Sequence, residues 1–317
     1  MQFGKQALAL ALLVSPAFAV DSAVLNMVPP DTKSLAGINV NRTTASQFGQ
    51  FILSRMQTSD QHFQDFINNT GFDPRRDLRE LVAAQTDPAK KHSGLVIAQG
   101  IFNVPKLVAA AQAHGATLTS YQGVQVIAGP QADAGWVAFL DGRTALAGNP
   151  DLVRQAIDRR SGSGSQLDAK LAAKVTDVSN RYDVWAVSNV PVTGLNAKIP
   201  DDQMNGIINS DVFQSIEQAS GGVIFGPSLQ ISGEAVTRSE KDATALADVL
   251  RFLTSLVQGR AQGAPFLPFL NNLELTSSAN VMRVSLTVPE AEIEKLFLEK
   301  KPRTAKVQKV SAPRLVR

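Results

Sequence analysis

Between Gly221 and Gln258 the apolar positions change their period once. Val223, Phe225, Leu229, Ile231 and Ala235 fall on odd positions, while Ser228, Gln230, Ser232, Glu234 and Arg238 fall on even ones. A period of two marks strands with one face on a core. Gly226 and Pro227 interrupt the run, which therefore reads as a bent strand or a tight hairpin. From Ser239 the period becomes helical. Asp242 stands three residues on, close to a capping box with Asp in place of Glu or Gln, and Leu246, Val249, Leu250, Leu253, Leu256 and Val257 share one face. A sheet with one apolar face beside a helix with one apolar stripe is half of a two-layer core.

The same succession occurs twice. Strand, helix, strand pair, helix, strand pair, helix reads over 34–40, 43–68, 81–102, 104–114, 117–147 and 150–160, and again over 182–190, 205–219, 222–238, 240–258, 273–288 and 289–299. The turns suit this reading: Asn103 and Asn149 precede helices, Gly115 closes one, and Asp141-Gly142 favours a hairpin. In 182–190, Val184 and Ala186 alternate with Trp185 and Val187, so both faces of that strand are apolar. Within the second succession 211–219 reads as a helix. Gly263–Pro268 reads as a loop with Phe266, Leu267 and Phe269 outward. The expected fold is α+β in two similar halves, each a mainly antiparallel sheet with helices packed on one face, produced by internal duplication. The first repeat covers 20–165 and ends in the connector Ser161-Gly162-Ser163-Gly164-Ser165; the second covers 166–299. The alternative is a single sheet whose alternation is coincidental.

The ends carry different signals. Lys5, the apolar run Ala7–Val14, the break at Ser15-Pro16 and the small-x-small triplet Ala17-Phe18-Ala19 form a secretory signal with cleavage after Ala19. The chain has no cysteine, hence no disulfide and no lipoprotein anchor, and no later run reaches the length of a membrane span. A periplasmic or secreted location is expected. The net charge of +3 hides an asymmetry. Seven basic residues and no acid follow Glu299. Without them and Lys5 the body holds 23 basic against 28 acidic residues, a net −5. The basic character thus belongs to a disordered tail, 300–317, and nucleic acid is not an expected partner. Lys300, Lys301, Arg303, Lys306 and Lys309 are candidates for contact with an anionic surface or another cell-envelope component.

Catalytic motifs are missing: the sequence holds no Gly-x-Ser-x-Gly, no Ser-x-x-Lys, no Gly-x-x-x-x-Gly-Lys and no Gly-x-Gly-x-x-Gly. His62, His92 and His114 are widely spaced and read as surface residues. Asp201-Asp202 is the tight acid pair in a loop and the candidate for carboxylate metal binding. Arg75, Arg76 and Arg79, among Asp73, Asp77 and Glu80, are the candidate anion site. On a helix, Arg75 and Arg79 would share a side and Arg76 would meet Glu80. No cofactor is expected.

Three stretches carry a family resemblance: Pro30–Val40, Phe72–Glu80 and Ser220–Gln258. In them the chain resembles a group of uncharacterised exported proteins of soil bacteria. The resemblance implies export and supplies no activity or catalytic residues. The expectation is a non-catalytic binding or scaffolding module with any ligand in a cleft between its halves. The alternative is a hydrolase or carboxylate-metal-dependent enzyme of the cell envelope.

Overall fold

The computed structural model describes residues 20–56, 61–87, 90, 93–131, 134–162, 164–190, 211–258 and 267–299. In chain order these form α1 (Ser22–Met27), β1 (Ser34–Asn39), α2 (Val40–Ala45), α3 (Gln47–Met56), α4 (Gln61–Thr70), α5 (Pro74–Asp77), β2 (Leu78–Gln85), β3 (Gly94–Gly100), α6 (Val104–Ala113), β4 (Thr117–Tyr121), β5 (Val124–Ala128), β6 (Trp136–Phe139), β7 (Thr144–Gly148), α7 (Pro150–Arg159) and α8 (Ala169–Arg181). They continue with β8 (Val184–Ser188), α9 (Asp211–Gln214), β9 (Ile216–Ile224), β10 (Ser228–Thr237), α10 (Glu240–Gln258), α11 (Leu267–Leu270), β11 (Leu273–Ser278), β12 (Val281–Pro289) and α12 (Glu290–Glu299). The fold is α+β.

The twelve strands join one antiparallel sheet in the order β11-β12-β10-β9-β8-β1-β2-β3-β7-β6-β5-β4. A cleft between two halves, expected from the sequence, is therefore not what this fold builds. β1 and β8 pair directly, with Ser34 opposite Ser188, Ala36 opposite Ala186 and Ile38 opposite Val184. Asn39 N–H donates to Asp183 O and Asn189 N–H to Lys33 O, both at 2.8 Å. Those two bonds make Ala36–Ala186 a non-hydrogen-bonded pair, the kind whose side chains approach most closely. Backbone groups that would have lined a cleft are consumed in the ladder.

Local chemistry sets the boundaries. Asn103, Asn149 and Asp168 cap α6, α7 and α8 through their side-chain oxygens. Gln122 and Gly123, both at positive φ, turn β4 into β5. The helical stretch expected over 43–68 breaks first at Ser46, whose hydroxyl donates to Thr43 O (2.6 Å) and accepts from Gly49 N–H (2.9 Å). The helix expected over 211–219 stops after one turn. From Ile216 the chain pairs with both β10 and β8, and tertiary pairing overrides local preference. Phe269, expected outward, is buried at the end of α11.

The two sheet faces differ. On one, Leu35, Val82, Ala84, Leu95, Ile97, Leu146, Trp185 and Val187 pack against α1, α7 and α8 through Val24, Val153, Ile157, Leu171 and Val175. Each Val, Leu or Ile side chain among them stabilises by about 1.5–3 kcal/mol when fully buried. On the other face, among the described residues, helices lie over the two ends of the sheet, and Phe48 of α3 stacks on Phe225 beside β9, with ring centroids 5.8 Å apart. α10 lies over β10–β12 through Ala243, Leu246 and Ala247 at one end. At the other end α4 and α6 lie over β5 and β6.

Gly37 sits under the Trp185 indole, where an added Cβ would collide with the ring. Gly37→Ala is therefore expected to destabilise by about 1–3 kcal/mol in urea unfolding. Combining it with Trp185→Leu should cost less than the sum of the two single changes. Strict additivity would contradict the packing described.

Candidate functional site

The arginine cluster folds in on itself. Asp73 caps α5 by accepting from Arg75 N–H at 3.0 Å, and its carboxylate also takes Arg75 Nε and Nη2 at 2.8 and 2.7 Å. Arg76 makes the equivalent fork to Asp77, at 2.7 and 2.8 Å. Asp77 Oδ2 accepts in addition from Asp73 N–H at 2.8 Å. Arg75 lies 5.3 Å from the centre of the Phe63 ring. The Arg75 hydrogen bond holds the Asp73 carboxyl below its ordinary range, and the Arg76 hydrogen bond does the same for Asp77. α5 ends at Asp77, so Arg79 falls on β2 and is exposed, out of helical register with Arg75. Arg76 turns to Asp77 rather than to Glu80. The three arginines do not converge on one anion; two of them already hold carboxylates.

The other predicted positions are placed as follows. Ala19, Asp201, Asp202, Lys300, Lys301, Arg303, Lys306 and Lys309 lie outside the described residues, as do His92 and the side chain of His62. His114 is exposed at the end of α6. Among the described residues no group of three or more His, Asp or Glu could hold a metal ion. No described helix is long and apolar enough to cross a membrane.

What the fold does build is a trough of about 680 Å³ on the open face of the central strands. Cross-strand register aligns its floor, which Val96, Ala83, Ala36, Ala186 and Gly221 line, as part of a longer row. Ala147, Val96, Ala83, Ala36, Ala186, Gly221 and Gly233 face each other in one row from β7 to β10. Apart from Val96, none has a side chain beyond Cβ. At about 4.8 Å per strand, this row runs for roughly 29 Å. Leu81, Ile38, Val184, Val223 and Ile231 form the neighbouring row on one side; Gln85, Ser34 and Ser188 form it on the other. Ile231 is 36% exposed. The two rim hydroxyls satisfy each other, with Ser34 Oγ 2.9 Å from Ser188 Oγ.

Both ends of the trough continue apolar. Arg251 of α10 reaches outward to Leu275 O on β11, at 3.1 Å. By helical geometry, the opposite flank of α10 carries Ala245, Val249 and Leu256, and Val249 packs against the Ala243–Leu246 cluster. Leu256 is 37% exposed and its neighbour Phe252 55%. In the other direction the floor row passes from Ala147 to Val137 and Ile127. These two residues floor a second cavity of about 670 Å³ under α4 and α6, with Leu107 and Phe139 in its wall and Asp65, Asn69 and His114 among its polar lining. Sequence reading missed this surface. The signal that could have found it was apolar residues on both faces of 182–190 in a strand that helices cover on one side only.

No family model matches the chain, and no curated protein matches it. Its fold is similar to that of TP0453. Crystal form III of TP0453 aligns with a TM-score of 0.51 at 8% identity, over 89% of this chain and 99% of that one. Crystal forms IV and I align with TM-scores of 0.48 and 0.46, at 8% and 6% identity, over 88% and 89% of this chain and 97% and 98% of those chains. At this identity the likeness to TP0453 is one of fold alone.

The Asp73–Arg75 and Asp77–Arg76 forks make a pH prediction. Carboxyls with depressed folded-state pKa values stabilise above their unfolded value near 3.8, and that stabilisation disappears as pH falls through the folded values. Asp73→Ala should cost about 0.5–2 kcal/mol at pH 7 through the lost cap. The difference from wild type should shrink in urea titrations below pH 3. A constant difference down to pH 2 would contradict the assignment.

Proposed function

We propose that this chain is an exported, non-catalytic binding module that holds an elongated apolar ligand, an aliphatic chain above all, along the open face of its sheet. The observation that carries the reading is the floor row Ala147–Val96–Ala83–Ala36–Ala186–Gly221–Gly233. Seven strands in register keep one row nearly free of side-chain bulk, while the rows about 6.8 Å to either side carry larger or polar groups. Such a furrow follows the shape of a linear chain and offers it dispersion contacts without asking for polar partners. The apolar flank of α10 and the cavity under α4 and α6 extend the contact at both ends. Gln85, Ser34 and Ser188 supply hydrogen-bonding groups along one rim. No lining residue of the floor can act as nucleophile or general base, which favours binding over turnover.

Export is supported by the signal-like segment ending at Ala19, and implies a periplasmic or secreted location. Internal duplication is part of the same proposal. It is supported by the strand order outward from the centre. β1, β2, β3, β7 and β6 run one way, continued by β5 and β4, and β8, β9, β10, β12 and β11 the other; α6 follows β3 as α10 follows β10, and α7 follows β7 as α12 follows β12. The paired centres also read alike: Ala36-Gly37-Ile38-Asn39-Val40 against Ala186-Val187-Ser188-Asn189-Val190.

Fluorescence titration with dansyl-labelled undecanoic acid tests the binding. Saturable binding with a blue shift is expected. Ala36→Gln and Ala186→Gln, both at exposed floor positions, should lower affinity at least about tenfold with unchanged thermal unfolding. Equal affinity for wild type and both variants would reject the trough as the site.

A further inference from the structure

The sheet has two edges, and they are finished differently. At one, β11 carries Glu274, whose Oε2 accepts from Ser285 Oγ at 3.2 Å, and its Leu275 carbonyl accepts from Arg251 Nη2 of α10 at 3.1 Å. Charged side chains and covered backbone groups are how edge strands are kept from pairing further. At the other, β4 reads Thr117-Leu118-Thr119-Ser120-Tyr121, with no charge and no proline. The sequence from Gly115 to Ala132 holds no Asp, Glu, Lys or Arg, a longer such run than any other in the chain. Thr117, Thr119 and Ser120 are exposed.

Backbone alternation identifies the free groups on this edge. Gln122 and Gly123, both at positive φ, form a two-residue turn, which makes Tyr121–Val124 a hydrogen-bonded pair. Pairs alternate from there, so Thr119–Val126 and Thr117–Ala128 are bonded, while Ser120–Gln125 and Leu118–Ile127 are not. The N–H and C=O groups of Leu118 and Ser120 therefore point away from β5. Among the described residues no strand takes them. The N–H of Ala116, next in that set, is bonded to Ala111 O at 3.0 Å, so the free stretch ends there.

We propose that this edge pairs antiparallel with β4 of a second copy of the chain, about a two-fold axis through Thr119, joining two twelve-stranded sheets into one. Centred there, the pairing sets Leu118 opposite the second copy's Ser120, and every free N–H meets a free C=O. The side chains match as well. Thr119 meets itself and Tyr121 meets Thr117, a Thr–Thr pair and an aromatic beside a β-branched residue, both favourable across strands. No charge on the strand repels its copy. Pairing of β4 with β11 would be head-to-tail and would propagate; Glu274 and Arg251 obstruct that route, and pairing of β4 with itself stops at two. An unrelated strand added to an edge is selected by side-chain pockets beside it, and neither cavity described above is lined by a β4 residue. The axis stands normal to the sheet, so both troughs open on the same side of the dimer. The inference does not depend on what the trough binds.

Size exclusion with light scattering reads the outcome. At about 100 μM, above the Kd of most weak interfaces, wild type is expected at twice the mass of one chain. Ser120→Pro removes an edge N–H that β5 does not use, and Thr119→Lys sets two ammonium groups opposite each other at the axis. Each should raise the dimer dissociation constant at least about tenfold, with unchanged circular dichroism. Cysteine substitution reads the register, in a chain that has no cysteine. Thr119 and its copy form a non-hydrogen-bonded pair, whose Cα separation of about 4.5 Å suits a disulfide. Thr119→Cys should therefore give a disulfide-linked dimer under mild oxidation. Leu118→Cys stands two positions out of line with its copy and should stay reduced. A monomer at this concentration overturns the proposal. So does a dimer indifferent to both substitutions, which another surface would hold, and so does a dimer in which Thr119→Cys stays reduced or Leu118→Cys cross-links as readily. If Ser120→Pro fails to fold, Thr119→Lys and the cross-link decide, since neither alters the backbone.

Discussion

The antiparallel ladder between β1 and β8 is the constraint on which the rest of this molecule depends. It joins residues as far apart in sequence as Ser34 and Ser188, separated by 154 positions, and it makes one sheet out of two runs of strands. Closing so long a loop costs little more than closing one half as long, since the entropy grows only logarithmically with length. Register is the stricter demand. A slip of one residue would turn Trp185 and Val187 out of the core and drive Val184 and Ala186 into it. Trp185 resists that slip because its indole occupies the space that Gly37, its partner across the ladder, leaves free.

With register fixed, the two faces acquire separate roles. Large side chains on one face meet α1, α7 and α8 and supply most of the buried apolar surface. On the other, the described helices lie over the two ends of the sheet, and the trough between them is floored by small residues. Large exposed apolar patches on proteins mark contact or ligand-binding sites, in keeping with the role proposed for this one. The covered face matters to the open one, because anything that loosens α1 or α8 loosens the strands that floor the trough.

Much of this was written in the periods of the sequence. The alternation in Ser228–Thr237 and the stripe from Leu246 to Leu253 gave β10 and α10 their identities, and Asn103, Asn149 and Asp141-Gly142 marked turns where turns occur. Misreadings came where distant partners decide. Ile216–Ile224 holds Ala219, Ser220, Gly221 and Gly222, a poor strand by composition, and becomes one because β8 and β10 flank it. Arg79 left the helix because β2 begins at Leu78, which removed the spacing on which the anion site was argued. The union of the two sheets was invisible for the same reason: pairing of β1 with β8 leaves no mark in the pattern of either strand. The trough was half visible, since Val184 and Ala186 already showed a second apolar face, and what covers it is not a local property.

Cysteine cross-linking tests the central ladder most directly, in a chain with no cysteine of its own. Ala36 and Ala186 form a non-hydrogen-bonded pair, whose Cα separation of about 4.5 Å lies within disulfide range. A protein carrying Ala36→Cys and Ala186→Cys should form an intramolecular disulfide rapidly and completely under mild oxidation. Ala36→Cys with Val187→Cys, on opposite faces, should remain reduced. If the first pair stays free, or both pairs close equally well, the two runs of strands do not share the ladder and the trough has no floor.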